Sequence, residues 1–333
     1  MEHQEWMGSN KSSFPDQMDG FRKQLLIIQF FLSITGILGN IILFASIIRM
    51  NHMKTFEIFL FGLATSNLVM LINVEVYDVT LLFYSQSWSL PLNCCSAVRF
   101  LKVFGVTASM YFTVLICAFR YQKLRDAGTR GQMPVPLDNI LVAGVASWVG
   151  MLLAAILAVP TFFIDFDVST YTGNVSCSMD IFHCFQGPCP VAHAIYKYVF
   201  LLILNFLPFV IVTGCSCLIL RIILHQQKLI HDHELIEDVH HHMHHHHHHH
   251  HHDHHHHHHH HHNLHKSTIA ILAAMGICQV TWASYLTLYL AFDSYTFQFW
   301  PEAEFYITTL YATISPYVYG IGNNFFSINH CIR

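Results

Sequence analysis

Seven stretches of this chain stay apolar for roughly the 20 residues that a helix needs to cross the hydrocarbon of a bilayer. They cover residues 24–48, 58–83, 96–119, 139–164, 198–220, 267–292 and 305–322. Five of them hold no charged residue; the second carries Glu75 and Asp78, and the third carries Arg99 and Lys102 near its start. A soluble protein of 333 residues would form about two domains, with about 25% of its residues charged to coat the surface. Here 11% are charged against 53% hydrophobic, and 21 of the 30 histidines fall between His240 and His262, so the rest of the chain is greasier than the average. The fold expected is all-α: a seven-helix transmembrane bundle over 24–322, after an extracellular segment 1–23 and before a short cytoplasmic tail 323–333.

Orientation follows from lysine and arginine in the connecting segments, which favour the cytoplasmic side. Arg49, Lys54, Arg120, Lys123, Arg125, Arg130, Arg221, Lys228, Lys266 and Arg333 fall on one side, against Lys11, Arg22 and Lys23 on the other. That asymmetry places the N-terminus outside. Two glycosylation sequons, at Asn10 and Asn174, fall on the same outer face. No basic run of the kind that tracks phosphates exists, so nucleic acid is not an expected partner. The polar, acidic N-terminus lacks the pattern of a cleavable signal peptide.

The ten cysteines form no CxxC pair, which argues against a zinc ribbon or a thioredoxin-type site. Cys94, Cys95, Cys177, Cys184 and Cys189 lie on the outer side, where disulfides persist. A bridge from the start of the third span to the long outer loop is expected, with Cys177 or Cys189 favoured as the partner of Cys95. Five is an odd number, and sequence alone leaves the connectivity open.

Single positions inside the spans narrow the class. They are Gly36-Ile37-Leu38-Gly39-Asn40 in span one, Leu63-Ala64-Thr65-Ser66-Asn67 in span two and Phe119-Arg120-Tyr121 ending span three, 25 residues after Cys95. Trp148, Pro208 and Trp282 follow in spans four to six, and Ser315-Pro316-Tyr317-Val318-Tyr319 in span seven. This set, in this order, resembles the rhodopsin-like (class A) G protein-coupled receptors across all seven spans. The departures are specific. Asn67 stands where the family usually has Asp, Phe119 where it has an acid, Ser284 where it has Pro, and Ser315 where it has Asn or Asp. A sodium site is therefore not expected, since a hard cation in a buried pocket wants a carboxylate. Together with Arg-Tyr-Gln-Lys-Leu-Arg after span three, these departures are similar to the vomeronasal type 1 receptors and the fish olfactory receptors related to class A. A bitter-taste-like receptor and a non-sensory peptide or lipid receptor stay open as neighbours. An opsin is excluded, because residues 305–322 offer no lysine for a Schiff base. A transporter would show repeat symmetry and broken helices, and no internal repeat is visible.

The resemblance implies roles. Arg120 and Tyr121 would face the heterotrimeric G protein, with Tyr319 and Pro316 completing the activation machinery, and Trp282 would sense ligand deep in the bundle. Lys102 lies 18 residues, or about five turns, before Arg120 and so on the same face. It stands where amine receptors carry an Asp. Arg99 and Lys197 add two further cations, against Glu75 and Asp78, so the ligand expected is a small organic anion unless internal pairing cancels the surplus. The candidate ligand-binding residues are accordingly Lys102, Arg99, Asp78, Lys197 and Trp282. Pro208 and Pro316 are expected to break backbone ladders that neighbouring helices then satisfy. The histidine-rich segment, inside 225–266, is expected to be a disordered cytoplasmic loop with no physiological metal site. The chain is expected to catalyse nothing and to hold no cofactor. Its partners are a small molecule, a G protein and the bilayer of the plasma membrane.

Overall fold

The computed structural model describes residues 13–50, 52–83, 92–128, 136–163, 191–243, 254–291 and 300–322. Within them all the regular structure is helical, the α-helices being α1 (Ser13–Ile48), α2 (Thr55–Phe83), α3 (Leu92–Gly128), α4 (Ile140–Ala158), α5 (Val191–Val199), α6 (Leu207–Met243), α7 (His254–Ala291) and α8 (Trp300–Gly322). A π-helical stretch, Phe200–Phe206, joins α5 and α6 into one span, so the helices make seven crossings. Six of these are apolar and long enough to cross a membrane by length and composition. The seventh, α8, is more polar and takes its place by packing against α7 and α1.

Local chemistry sets several boundaries. At the start of α2 the carboxylate of Glu57 accepts the Lys54 N–H at 2.8 Å, which satisfies a donor left open at a helix N-terminus. Asn139 caps α4 by accepting the Leu141 N–H at 2.9 Å. The two prolines act differently. Pro208 cannot donate to the carbonyl of Leu204, and the turn before it is wound wider, with the Leu207 N–H reaching back to Leu202. Pro316 lies inside α8 without ending it. The carbonyl it leaves open, that of Ala312, accepts a hydrogen bond from Asn40 Nδ2 at 2.9 Å. Ser284, standing where the resembled pattern has a proline, lies in an unbroken α7.

Several helix boundaries differ from the apolar runs read in the sequence, that of the fifth span among them, which begins at Val191 rather than 198. Helix α1 begins at Ser13, inside the segment expected to precede the bundle. Helices α6 and α7 continue to Met243 and from His254, so helix occupies much of 225–266; once nucleated in the span, a helix adds one hydrogen bond per residue ordered. Helix α8 begins at Trp300 rather than at residue 305, which brings Glu302 and Glu304 into it.

Helix α3 runs through the middle, packed on α2, α4, α6 and α7, while α8 closes the ring against α1. The best apolar window of α3 is 72% buried, against 17% for α4. Helix α4 shows why: its buried residues are Ala143, Gly150, Ala154 and Ala158, while Leu141, Leu152 and Ile156 point outward. Small residues let helix backbones approach where lipid removes any hydrophobic drive between helices. Trp148, one of the landmark residues, is 73% exposed and faces outward with the apolar residues of α4. A tight approach recurs at Gly62, where a methyl group would come within 2.2 Å of the Phe112 ring. Gly144 has nothing within 4 Å. Gly62→Ala should therefore destabilise the protein by about 1–3 kcal/mol through overpacking, while Gly144→Ala should be neutral or stabilising by up to about 1 kcal/mol. Melting temperatures of the detergent-solubilised protein check the contrast, and equal effects would refute it.

Candidate functional site

Midway through the bundle, side chains from α1, α2, α3 and α8 meet in a hydrogen-bonded cluster with no charge. Asn67 is its hub. Its Nδ2 donates to Asn40 Oδ1 at 3.3 Å and to the Ser315 hydroxyl at 3.2 Å, and its Oδ1 accepts from Ser109 at 2.8 Å. Asn40 in turn donates to the Gly36 carbonyl at 2.8 Å as well as to that of Ala312. All four side chains are buried. The Asn67 amide thus spends both donors on neutral oxygens, which suits an amide and would not suit a carboxylate. One layer away, the hydroxyls of Thr113 and Tyr311 lie 2.9 Å apart.

Toward the end expected to be cytoplasmic, Phe119 packs on Phe56 and Phe59, with ring centroids 6.2 and 6.0 Å away. The Arg120 guanidinium lies over the Phe56 ring, 3.9 Å from its centroid. An aromatic shelf therefore stands where an acid would have been expected, and a cation–π contact of about 0.5–2 kcal/mol takes part in holding the arginine. Tyr319 is fully buried and is an electrostatic neighbour of Arg120. Tyr121 packs against the core, and Arg125 lies 5.8 Å from its ring.

Toward the end expected to face outward lies a narrow cavity of about 10 Å³, room for roughly one water. Lys102, Val103 and Val106 line it from α3, Phe200 from the π-helical stretch, Trp282 and Tyr285 from α7, and Glu304 and Thr308 from α8. Trp282 is buried and meets Tyr285 edge to face at 5.5 Å. Lys102 Nζ donates to Glu304 Oε1 at 3.0 Å, with both side chains 10% exposed. Among the described residues its carboxylate partner is on α8, whereas the acids expected to neutralise it lay in span two. Glu304 lies one residue before the charge-free seventh run, so lack of charge as the mark of a span leaves it out. A buried lysine facing the bundle was itself the signal, since such a charge demands a carboxylate. With both acids of α8, the outer half carries three cations (Arg99, Lys102 and Lys197) against four acids (Glu75, Asp78, Glu302 and Glu304), so the surplus that favoured an anionic ligand disappears.

The other candidates are more scattered. Arg99 is buried one turn above Lys102 on α3. Lys197 lies 5.0 Å from the Tyr289 ring, away from the cavity lining. Asp78 lies on α2 with its side chain outside the described residues. Glu75 is buried near Ser33, and neither of its carboxylate oxygens meets the distance and angle of a hydrogen bond. Cys95 is disulfide-bonded. Its partner, together with Cys177, Cys189, Asn10 and Asn174, lies outside the described residues.

The hydrogen-bonded cluster generates a test. Asn67→Ala strands Asn40 Oδ1 and the Ser109 hydroxyl, and each stranded buried group costs about 1–3 kcal/mol. Ser315→Ala removes one acceptor at the edge of the cluster and should cost less, about 0.5–1.5 kcal/mol. Thermal melting of the purified variants should rank them in that order; the reverse order would remove Asn67 from the centre of the network.

A search of curated proteins finds no significant match to the chain. The family model described as 7 transmembrane receptor (rhodopsin family) matches residues 39–319, which span the cluster at Asn40 and Asn67, the outer cavity and the Arg120 shelf. The chain belongs to the rhodopsin family of seven-transmembrane receptors, the class A G protein-coupled receptors.

Proposed function

We propose that this class A receptor is chemosensory, and that its ligand is a small, mainly apolar molecule with one neutral polar group, bound where the outer cavity widens to admit it. The observation that carries the ligand class is the Lys102–Glu304 pair on the cavity wall. Each charge is already compensated, so a charged ligand would have to displace one partner and strand it in a buried place. A neutral group such as a hydroxyl or carbonyl can hydrogen-bond at the edge of the pair without breaking it. Phe200, Trp282 and Tyr285 supply the apolar and aromatic surface that small-molecule sites commonly present. The chemosensory reading rests on the departures at Asn67, Phe119, Ser284 and Ser315 and their likeness to the vomeronasal type 1 and related fish olfactory receptors. In this reading the N-terminus and Asn174 are extracellular, the histidine tract is cytoplasmic, and the receptor works at the plasma membrane.

Ligand binding acts by differential affinity: a molecule that fits the cavity better in the active arrangement shifts the equilibrium by that difference. Helix α3 is the element common to both ends, carrying Lys102 at the cavity and Arg120 at the cytoplasmic face. A G protein would meet Arg120 and Tyr121, and movement of Tyr319 relative to Arg120 would report the state of α8.

A panel of matched carboxylic acids and their methyl esters, tested on wild type, Lys102→Gln and Lys102→Gln/Glu304→Gln, separates the ligand classes. The esters should be the more potent agonists. The single variant should lose surface expression, because breaking a buried pair costs about 3–5 kcal/mol, and the double variant should regain it. Acids that outperform their esters tenfold on wild type, worth about 1.4 kcal/mol, and lose that advantage in the double variant would replace this reading with an anionic ligand.

Arg120→Ala should abolish G protein activation and leave agonist binding unchanged. Eighteen residues at 1.5 Å each place it about 27 Å below Lys102, out of reach of a small ligand in the cavity. Radioligand binding together with nucleotide exchange in membranes checks the separation, and retained exchange would remove Arg120 from the coupling mechanism.

A further inference from the structure

The aromatic shelf under Arg120 is fixed from several sides. Phe56 is the second residue of α2 and is buried, and both of its neighbours are held: the Thr55 hydroxyl donates to the Asp138 carbonyl at 2.9 Å, and the Glu57 carboxylate accepts the Lys54 N–H. Asp138 is in turn paired with Lys123 of α3. Phe119 lies against the Phe56 ring with the two planes 22° apart, and meets Phe59, three residues on, at 72°. The Phe56 ring therefore has little freedom to turn or withdraw, and it offers its face to the half-buried Arg120 guanidinium at 3.9 Å. A ring attracts a cation through its quadrupole, the more strongly where water is partly excluded. Phe56 takes no part in lining the outer cavity.

We propose that Phe56 is a positioning residue for G protein coupling: its ring latches Arg120 in a conformation that withholds it from the G protein, and the strength of that contact sets the activity of the receptor without ligand. The inference rests on the reading of Arg120 as the coupling residue. The guanidinium face that lies on Phe56 is closed to any other group, so a partner engaging that face must first draw the arginine off the ring. Apparent affinity for such a partner scales with the fraction of receptor in which the arginine is free. A cation–π contact of ordinary strength lowers that fraction by about 2- to 30-fold. An acid at position 119 would hold the arginine from within α3. Phe119 instead backs the ring that holds it from α2, so the resting position of Arg120 is set by the spacing of two helices.

The test uses full-length receptor in lipid nanodiscs, without ligand, and the purified nucleotide-free heterotrimer that wild type binds most tightly among the Gα classes. Phe56 is replaced by phenylalanine carrying one, two and three ring fluorines, which withdraw electron density from the ring face and leave its shape nearly unchanged. Affinity for the heterotrimer and nucleotide exchange should both rise step by step with fluorine number, toward about 2- to 30-fold over wild type. Phe56→Leu should match the top of the series. With Arg120→Ala in the background the affinity steps should vanish. The same series at Phe61, whose ring stacks on Phe44 at 4.7 Å, should be flat. A flat series at Phe56, with Arg120→Ala still abolishing exchange, overturns the latch and leaves the coupling role of Arg120 intact. A falling series also overturns it, by showing that the ring presents the arginine to the G protein; so do steps that persist with Arg120→Ala, which place the effect of the ring elsewhere. Exchange retained in Arg120→Ala alone removes the coupling role itself, and the latch with it. Should Phe56→Leu fail to fold, the nearly isosteric fluorinated series decides the question alone.

Discussion

The bundle depends on what becomes of one backbone carbonyl. Pro316 frees the oxygen of Ala312 inside the membrane, where no water can take the place of the lost N–H. Asn40 from α1 supplies the missing donor at 2.9 Å, and Asn67 from α2 holds Asn40 in place while also reaching Ser315 and Ser109. Four helices are thereby joined through a defect in one of them. In lipid, apolar packing alone gives little preference for one helix arrangement over another, so a satisfied polar network of this kind sets register and order. The apolar residues that dominate the composition are free to face outward, as α4 shows with its alanine and glycine seam inside and its large residues outside.

The departures from the family pattern form a consistent set. Asn67 and Ser315 make the central cluster neutral, and Phe119 replaces an acid beside Arg120 with an aromatic shelf shared with Phe56 and Phe59. Charge is thus withdrawn from the middle of the bundle and from one side of the arginine. The buried ion pair resolved at the outer cavity, Lys102 with Glu304, joins the central helix to the last one. Such a pair contributes little net stability compared with good apolar packing, yet breaking it is costly. That asymmetry makes it a discriminating wall for a ligand site, tolerant of neutral molecules and hostile to anything that separates its partners.

Much of this was legible in the residue order. The seven apolar runs, the lysine and arginine asymmetry and one landmark in each span led to the bundle and to the family, because spanning helices must be long, apolar and internally hydrogen-bonded. The helical spacing of Lys102 and Arg120 put both on the inner face of α3, and both are found there, Lys102 buried and Arg120 partly so. The expectation that neighbouring helices satisfy the carbonyls freed by proline needed only the chemistry of proline.

The partners were beyond reach of the sequence. Glu304 and Lys102 are separated by 202 residues and Asn40 and Ala312 by 272, and no local pattern links positions so far apart. Which acid neutralises a buried lysine depends on which helix passes within a few ångströms of it, and so does the choice between an anionic and a neutral ligand. The sequence by itself determined that this chain crosses a membrane seven times as a class A receptor, since hydropathy and single conserved-type positions are carried residue by residue. Only the tertiary structure decided which charges cancel and what Arg120 rests on, because those are properties of distance between helices.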